Sequence, residues 1–145
     1  MARDTELRWV EGSYRSPSFE HALVSDAMRP GVITCPPDSS LRELARVMAT
    51  NHVHSVVVTA GGDAPIGVVT DRQLLESAGG DAQEATAASL ATNPDTVFAD
   101  IPLSRATELM VERGVTHLLV ADAGGRPLGV LSALDVAGVL AWGLA

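Results

Sequence analysis

Few residues in this 145-residue chain have types and spacings that could do chemistry. Ser132-Ala133-Leu134-Asp135 sets a hydroxyl and a carboxylate three residues apart, and Thr70-Asp71-Arg72-Gln73 sets a hydroxyl and an amide at the same spacing. At the head of a helix either set reads as a capping box, in which side chains meet the N–H groups that the first turn leaves orphaned. Asp135 is also an acceptor with two oxygens, whereas Gln73 is neutral and offers one. His52 and His54 have no carboxylate at metal-ligand spacing, and if His52 precedes its strand the two need not share a face, so no metal ligand is assigned. Gly61-Gly62 and Gly124-Gly125 join strand to strand, where a phosphate-cradling loop joins strand to helix, so turn chemistry accounts for both. Ser132 has no base beside it and no Cys/His or paired-carboxylate arrangement recurs, so no catalytic residue is assigned. Cys35, the single cysteine, precedes Pro36-Pro37 and reads as an ordinary strand-end residue. It allows neither an intrachain disulfide nor a thiolate metal cluster.

The elements that must position these residues come in duplicate. Val53 to Gln73 (VHSVVVTAGGDAPIGVVTDRQ) and Val115 to Asp135 (VTHLLVADAGGRPLGVLSALD) match at an offset of 103 − 41 = 62. The offset pairs Leu41 with Leu103, Met48 with Met110, Pro65 with Pro127 and Gly67 with Gly129, without a gap from Met28 onward. Over Met28 to Gln73 ten of 46 positions are identical, against roughly three or four expected from ordinary residue usage. The chain is an internal repeat.

Each copy reads as strand, helix, strand, strand, helix. Val32 to Cys35 is the first strand, after a short helical turn over Val24 to Met28 that Pro30-Gly31 ends. Asp38 is a candidate N-cap for the next helix, and Ser40-x-x-Glu43 is a competing capping box. Leu41, Leu44, Ala45 and Met48 then line one helix face at i, i+3, i+4 and i+7. In the second copy Asp100, Leu103, Ala106, Thr107 and Met110 take these places, with Pro102 in the first turn, where its missing N–H costs little. Val53 to Val58 and Ile66 to Thr70 form a hairpin across Gly61-Gly62, repeated by Val115 to Val120 and Leu128 to Ser132. Helices follow, from about Asp71 to Ser77 and from about Ala133 to Trp142, and Ala85 to Leu90 repeats the opening turn. The reading is an α/β (α+β) fold with an extension over 1–22, a repeat over 23–78, a linker over 79–84 and a second repeat over 85–142.

A repeat of about 50 residues is marginal alone, whereas the whole chain can bury about 70% of its unfolded surface, so the copies are expected to share a core. That core is aliphatic: 46% of residues are hydrophobic, yet only two Trp, one Tyr and two Phe occur. The net charge of −8, with a pI near 4.8, repels phosphate backbones and argues against nucleic-acid binding. The apolar run from Ala133 to Ala145 is too short to span a bilayer and carries Asp135, and no basic start leads into an apolar signal segment. A cytoplasmic protein without a membrane partner is expected. The last helix is apolar nearly all round and must be covered, either by the extension, with Trp9, Tyr14 and Phe19, or by another subunit. A homodimer is favoured.

The ordered pieces VSDAMRPGVIT, LRELARVMATNHVHSVVVT and PIGVVTDRQLL, answered by TNPDTVFADIPL, ATELMVERGVTHLLVAD and PLGVLSALDV, resemble the cystathionine-β-synthase (CBS) domain family in its tandem form, the Bateman module. The resemblance covers about residues 23 to 142. It implies two units packed through their sheets about a pseudo-twofold axis, a regulatory and non-catalytic role, and two clefts for adenosine-containing ligands such as AMP, ADP, ATP or S-adenosylmethionine, with no required cofactor. Members that bind nucleotides use a Ser/Thr-x-x-Asp signature, here Ser132 and Asp135, whose carboxylate suits the 2′ and 3′ hydroxyls of a ribose. The base would be held by the opposite unit's strands, which assigns Val32, Ile33, Val53, His54 and Ser55 to the Asp135 cleft. The other cleft would use Thr70 with Thr96, Val97, Val115 and Thr116, and His117 faces the shared region. Modules of this kind commonly dimerise and act on a protein target, unnamed by the sequence. The capping reading of Ser132 and Asp135 stands beside this one, as does a ligand-free interaction module.

Overall fold

The computed structural model describes residues 16–61, 65–80 and 84–144. Trp9, Tyr14, Gly62 and residues 81–83 of the linker lie outside these residues. The chain opens with a leader, α1 (Val24–Ala27) and β1 (Arg29–Pro30). The first repeat follows as β2 (Thr34–Cys35), α2 (Leu41–Asn51), β3 (Ser55–Thr59), β4 (Pro65–Thr70) and α3 (Asp71–Ala78). A second leader, α4 (Ala87–Leu90), precedes β5 (Thr96–Phe98), α5 (Leu103–Arg113), β6 (His117–Ala121), β7 (Pro127–Ser132) and α6 (Ala133–Trp142). The fold is mixed α and β, with two sheets and the duplicated order that the sequence predicts. The first strand is shorter than expected, with Val32 and Ile33 ahead of it.

The chain divides into two compact units, and each is assembled from both repeats. The second-repeat unit takes the described residues up to Pro30 together with Asp95–Ala123 and the chain from Leu128; the first-repeat unit takes Gly31–Pro94 and Gly124–Pro127. In the second-repeat unit the sheet order is β1-β7-β6-β5. Leu103, Ala106 and Met110 of α5, at helical spacing, pack with Leu118, Val120, Leu131 and Val139, and with Ala22 and Val24 of the leader. In the first-repeat unit the order is β2-β3-β4, and Leu44 and Met48 of α2 pack with Cys35, Val56, Val58, Val69 and Ala87 of the second leader. Burial pushes the Cys35 thiol above its ordinary pKa, against a smaller downward pull from its hydrogen bond with Ser39.

The leaders are therefore exchanged. Val24 and Ser25 donate backbone bonds of 2.9 Å to Ile101 and Ala99, while Ala87 and Ala88 donate bonds of 2.8 and 2.9 Å to Ser39 and Pro37. Further along, Arg29 lies opposite Val130 in the β1–β7 ladder, and Thr92 makes a one-residue bridge opposite Val68. This equivalence puts the leaders at an offset of 92 − 29 = 63, which corrects the ungapped offset of 62 from Met28. The extra residue falls between Arg29 and Thr34, where Gly31 turns the chain at φ +84°, a conformation glycine adopts without penalty. The repeated Pro-x-Gly-Val is explained by the same crossing. A Cβ on Gly129 would stand 2.2 Å from the Arg29 carbonyl oxygen, and one on Gly67 would stand 2.8 Å from that of Thr92.

Local chemistry settles the helix ends. Ser40, not Asp38, caps α2, accepting from Glu43 N at 3.1 Å. Pro102 is the N-cap of α5 rather than its first-turn residue, and it has no side chain to accept a bond. The Leu103 N–H is met instead by the Ala22 carbonyl at 2.9 Å. At the other end both long helices close in the left-handed region, with Gly114 at φ +63° and its counterpart His52 at φ +53°. The extension covers one end of α6: Leu144 N donates to Ser16 O at 3.0 Å, and Phe19 packs on the second-repeat core.

Two stability measurements follow from these contacts. Gly129→Ala sets a side chain against backbone that cannot rotate away and should cost about 1–3 kcal/mol, read as a lower urea midpoint; Gly79→Ala, with open space around it, should change the midpoint little. His52→Gly relieves roughly 1 kcal/mol of left-handed backbone cost, partly offset by glycine's unfolded-state entropy. Its midpoint should rise.

Candidate functional site

The hairpin of each repeat delivers its last residue directly to the first turn of a helix, and at that junction the two copies differ. In the second-repeat unit Ser132 ends β7 in an extended conformation and caps α6. Its Oγ accepts from Asp135 N at 3.2 Å, and its own N donates to Asp135 Oδ2 at 2.9 Å. The box is closed through Oδ2, and Oδ1 carries no hydrogen bond among the described residues. Ala133 N donates to Thr116 O at 2.9 Å, which ties the helix head to the lead-in of β6. Thr116 Oγ1 and His117 Nδ1 are 2.9 Å apart. Thr96 lies opposite Leu119 in the parallel pair of β5 and β6.

Ser132, Asp135, Thr96, Val97, Val115, Thr116 and His117 thus belong to one unit. Val97 commits its side chain to the core and Val115 packs against it, so these two have mainly backbone groups to offer. Val32, Ile33, Val53, His54, Ser55 and Thr70 belong to the first-repeat unit, where Ile33 and Val53 pack against the core. Val57 N donates to Ile33 O at 2.8 Å, and Ser55 lies opposite Thr70 in the hairpin.

At the equivalent junction of the first-repeat unit Thr70 caps α3, and Gln73 Oε1 accepts from both Thr70 N at 2.7 Å and Thr70 Oγ1 at 2.5 Å. The one acceptor oxygen of that amide is therefore engaged. Asp71 N donates to His54 O at 2.9 Å, and the Asp71 carboxylate pairs with His54 Nδ1, also at 2.9 Å. Arg72 pairs with Glu76 one turn along at 3.1 Å. The His54–Asp71 pair is set by the hairpin register, in which Ser55 opposite Thr70 brings the residue before β3 to the residue after β4. Periodicity within single elements does not reveal it.

The two junctions thus have opposite characters. One turns its polar groups on each other; the other keeps an acceptor oxygen and has Ala133 and Leu134 where the first has Asp71 and Arg72. Among the described residues no three His, Cys, Asp or Glu side chains could hold a metal ion, and no helix is long and apolar enough to cross a membrane.

Comparison with known proteins agrees with this architecture. The family model of the CBS domain matches residues 24–80 and again 87–141. An uncharacterised protein of Methanopyrus kandleri is 32% identical over 117 residues, which are 78% of this chain and 60% of that protein; the chain thus spans under two thirds of that relative's length. The CBS domain protein of Pyrobaculum aerophilum, solved in complex with AMP, is 28% identical and superposes with a TM-score of 0.74 over 83% of this chain and 97% of its own. The CBS domain pair of protein MJ0100, solved with 5′-methylthioadenosine and S-adenosyl-L-methionine, has a TM-score of 0.75 at 17% identity, covering 83% of this chain and 96% of that one; at that identity it speaks for the fold. With a duplicated core, exchanged leaders and a family match over both repeats, the chain belongs to the CBS domain family and carries the domain as a tandem pair.

Proposed function

We propose that the protein is a regulatory CBS pair that binds an adenosine-containing ligand (AMP, ADP, ATP or S-adenosylmethionine) through Asp135 and relays its occupancy to a protein target as a homodimer. The observation that carries this reading is the Asp135 carboxylate. Its Oδ2 is fixed by the Ser132 N–H, so the group is held in one orientation with Oδ1 left to accept, as recognition of a ribose hydroxyl requires. The AMP complex of the Pyrobaculum aerophilum relative supports adenosine as the class. The first-repeat junction, with Gln73 already engaged, is read as the weaker or empty site.

Self-association is assigned to α6. Leu134 and Leu140 are 72% and 64% exposed, Ala133, Ala137 and Ala141 are exposed beside them, and this face carries no charge. The corresponding helix α3 displays the Arg72–Glu76 ion pair instead. A ligand-free interaction module is the second reading, favoured by the closed capping box, since capping alone gives Ser132 and Asp135 a purpose.

Titration calorimetry separates the two. At a hundredfold excess over its dissociation constant a ligand adds about 2.7 kcal/mol to stability, so an adenosine ligand should raise the melting temperature visibly. Asp135→Asn removes charge-assisted bonds worth roughly 1.5–3 kcal/mol and should weaken binding about ten- to a hundredfold. Neither heat nor thermal shift with any of the four ligands at millimolar concentration would reject the sensing role. For the assembly, Leu140→Glu should convert a dimer into a monomer in light scattering at the same protein concentration; an unchanged mass would exclude this face as the contact.

A further inference from the structure

The arginines of the unit that holds Asp135 can be counted. All ten basic residues of the chain are arginines, and α6 itself contains none. Among the described residues the second-repeat unit contributes Arg29, Arg105 and Arg113. Arg105 donates to Glu108 at 3.0 Å and lies 3.9 Å from Glu112, and Arg113 donates to Asp95 at 3.1 Å. Arg29 is exposed and has no carboxylate partner among the described residues.

Its place in the sheet is fixed. Arg29 lies opposite Val130 in the antiparallel pair of β1 and β7. Opposed residues share a face and side chains alternate along a strand, so Arg29 lies on the face of Val130 and Ser132, while Leu131 between them points into the core. Diagonal neighbours of this kind are about 7–8 Å apart, within reach of a long side chain. Gly129 locks the position, because only glycine admits the Arg29 carbonyl so closely. In the first-repeat unit the residue at this place is Thr92, opposite Val68. The copy with Asp135 therefore has an arginine at this place, and the copy with Gln73 has a threonine.

We propose that Arg29, brought to this junction by leader exchange, reads a single anionic group on the far side of a ribose held at Asp135, and so makes the site selective for a nucleoside 5′-monophosphate over the unphosphorylated nucleoside. This rests on the Asp135 reading above and adds to it a specificity residue from the opposite repeat. A guanidinium matches a phosphate bidentately, and one guanidinium in a chain of charge −8 disfavours the longer polyphosphates.

The test is calorimetric titration of AMP, ATP and adenosine into the wild-type protein, Arg29→Gln and Arg29→Lys. The wild type should bind AMP at least about tenfold more tightly than adenosine and more tightly than ATP. Arg29→Gln should abolish the preference for AMP over adenosine while leaving adenosine affinity within about twofold, and Arg29→Lys, which keeps the charge but not the fork, should retain part of it. Added salt should shrink the AMP advantage in the wild type only. An AMP-to-adenosine ratio that survives Arg29→Gln, or a wild type that does not discriminate, overturns the role of Arg29 and leaves the Asp135 site standing. If wild-type protein binds ATP or S-adenosylmethionine but not AMP, the role of Arg29 is overturned alone; if it binds none of adenosine, AMP, ADP, ATP and S-adenosylmethionine, the Asp135 reading fails and this inference falls with it.

Discussion

A backbone laid on a backbone organises this protein. The leader of the first repeat crosses β7 so closely that the Arg29 carbonyl occupies the space of a Gly129 side chain, and the stretch around Thr92 does nearly the same over Gly67. Neither crossing tolerates a Cβ; the first adds β1 to the edge of a sheet, and the second makes a single bridge opposite Val68. The exchange also supplies core residues, Ala22 and Val24 to one unit and Ala87 to the other. A half-sized unit is marginal in size, and importing a leader enlarges its buried interior while making each repeat dependent on its twin.

Leader exchange has chemical consequences because the leader ends beside the hairpin-to-helix junction. In the second-repeat unit this puts an arginine at the edge of a junction whose own helix has only an acid. In the first-repeat unit the leader contributes a threonine, and the junction is closed by His54 with Asp71 and by Thr70 with Gln73. The two copies have diverged from one plan, one toward internal satisfaction of its polar groups and the other toward leaving an acceptor available. An exposed pair such as His54–Asp71 contributes little stability.

Asp135 closes the cap with one oxygen and keeps the other. Capping needs one carboxylate oxygen at the Ser132 N–H, and a carboxylate has two. Gln73 meets the Thr70 N–H in the same way, but its single acceptor oxygen is spent on Thr70 N and Thr70 Oγ1. The acid also sets a negative charge in the first turn of α6, where the helix dipole favours it.

Much of this was legible in the sequence. The duplication, the order of elements, both hairpins, the bounds of α6, the cap at Ser40 and the capping boxes at Thr70 and Ser132 follow from local periodicity and turn chemistry, because the forces that fix them act within a few residues. Ser40 prevailing over Asp38 and Pro102 acting as a cap without a side chain lay at the limit of that reach. What the tertiary structure alone decided is long-range: which unit each leader joins, the one-residue offset at Gly31, the purpose of Gly67 and Gly129, the His54–Asp71 pair and the place of Arg29. These depend on backbone segments meeting across more than 20 residues of chain or on pairing across a sheet, and such meetings leave no periodic trace in either partner. A repeated glycine marks where they occur but does not say what arrives there.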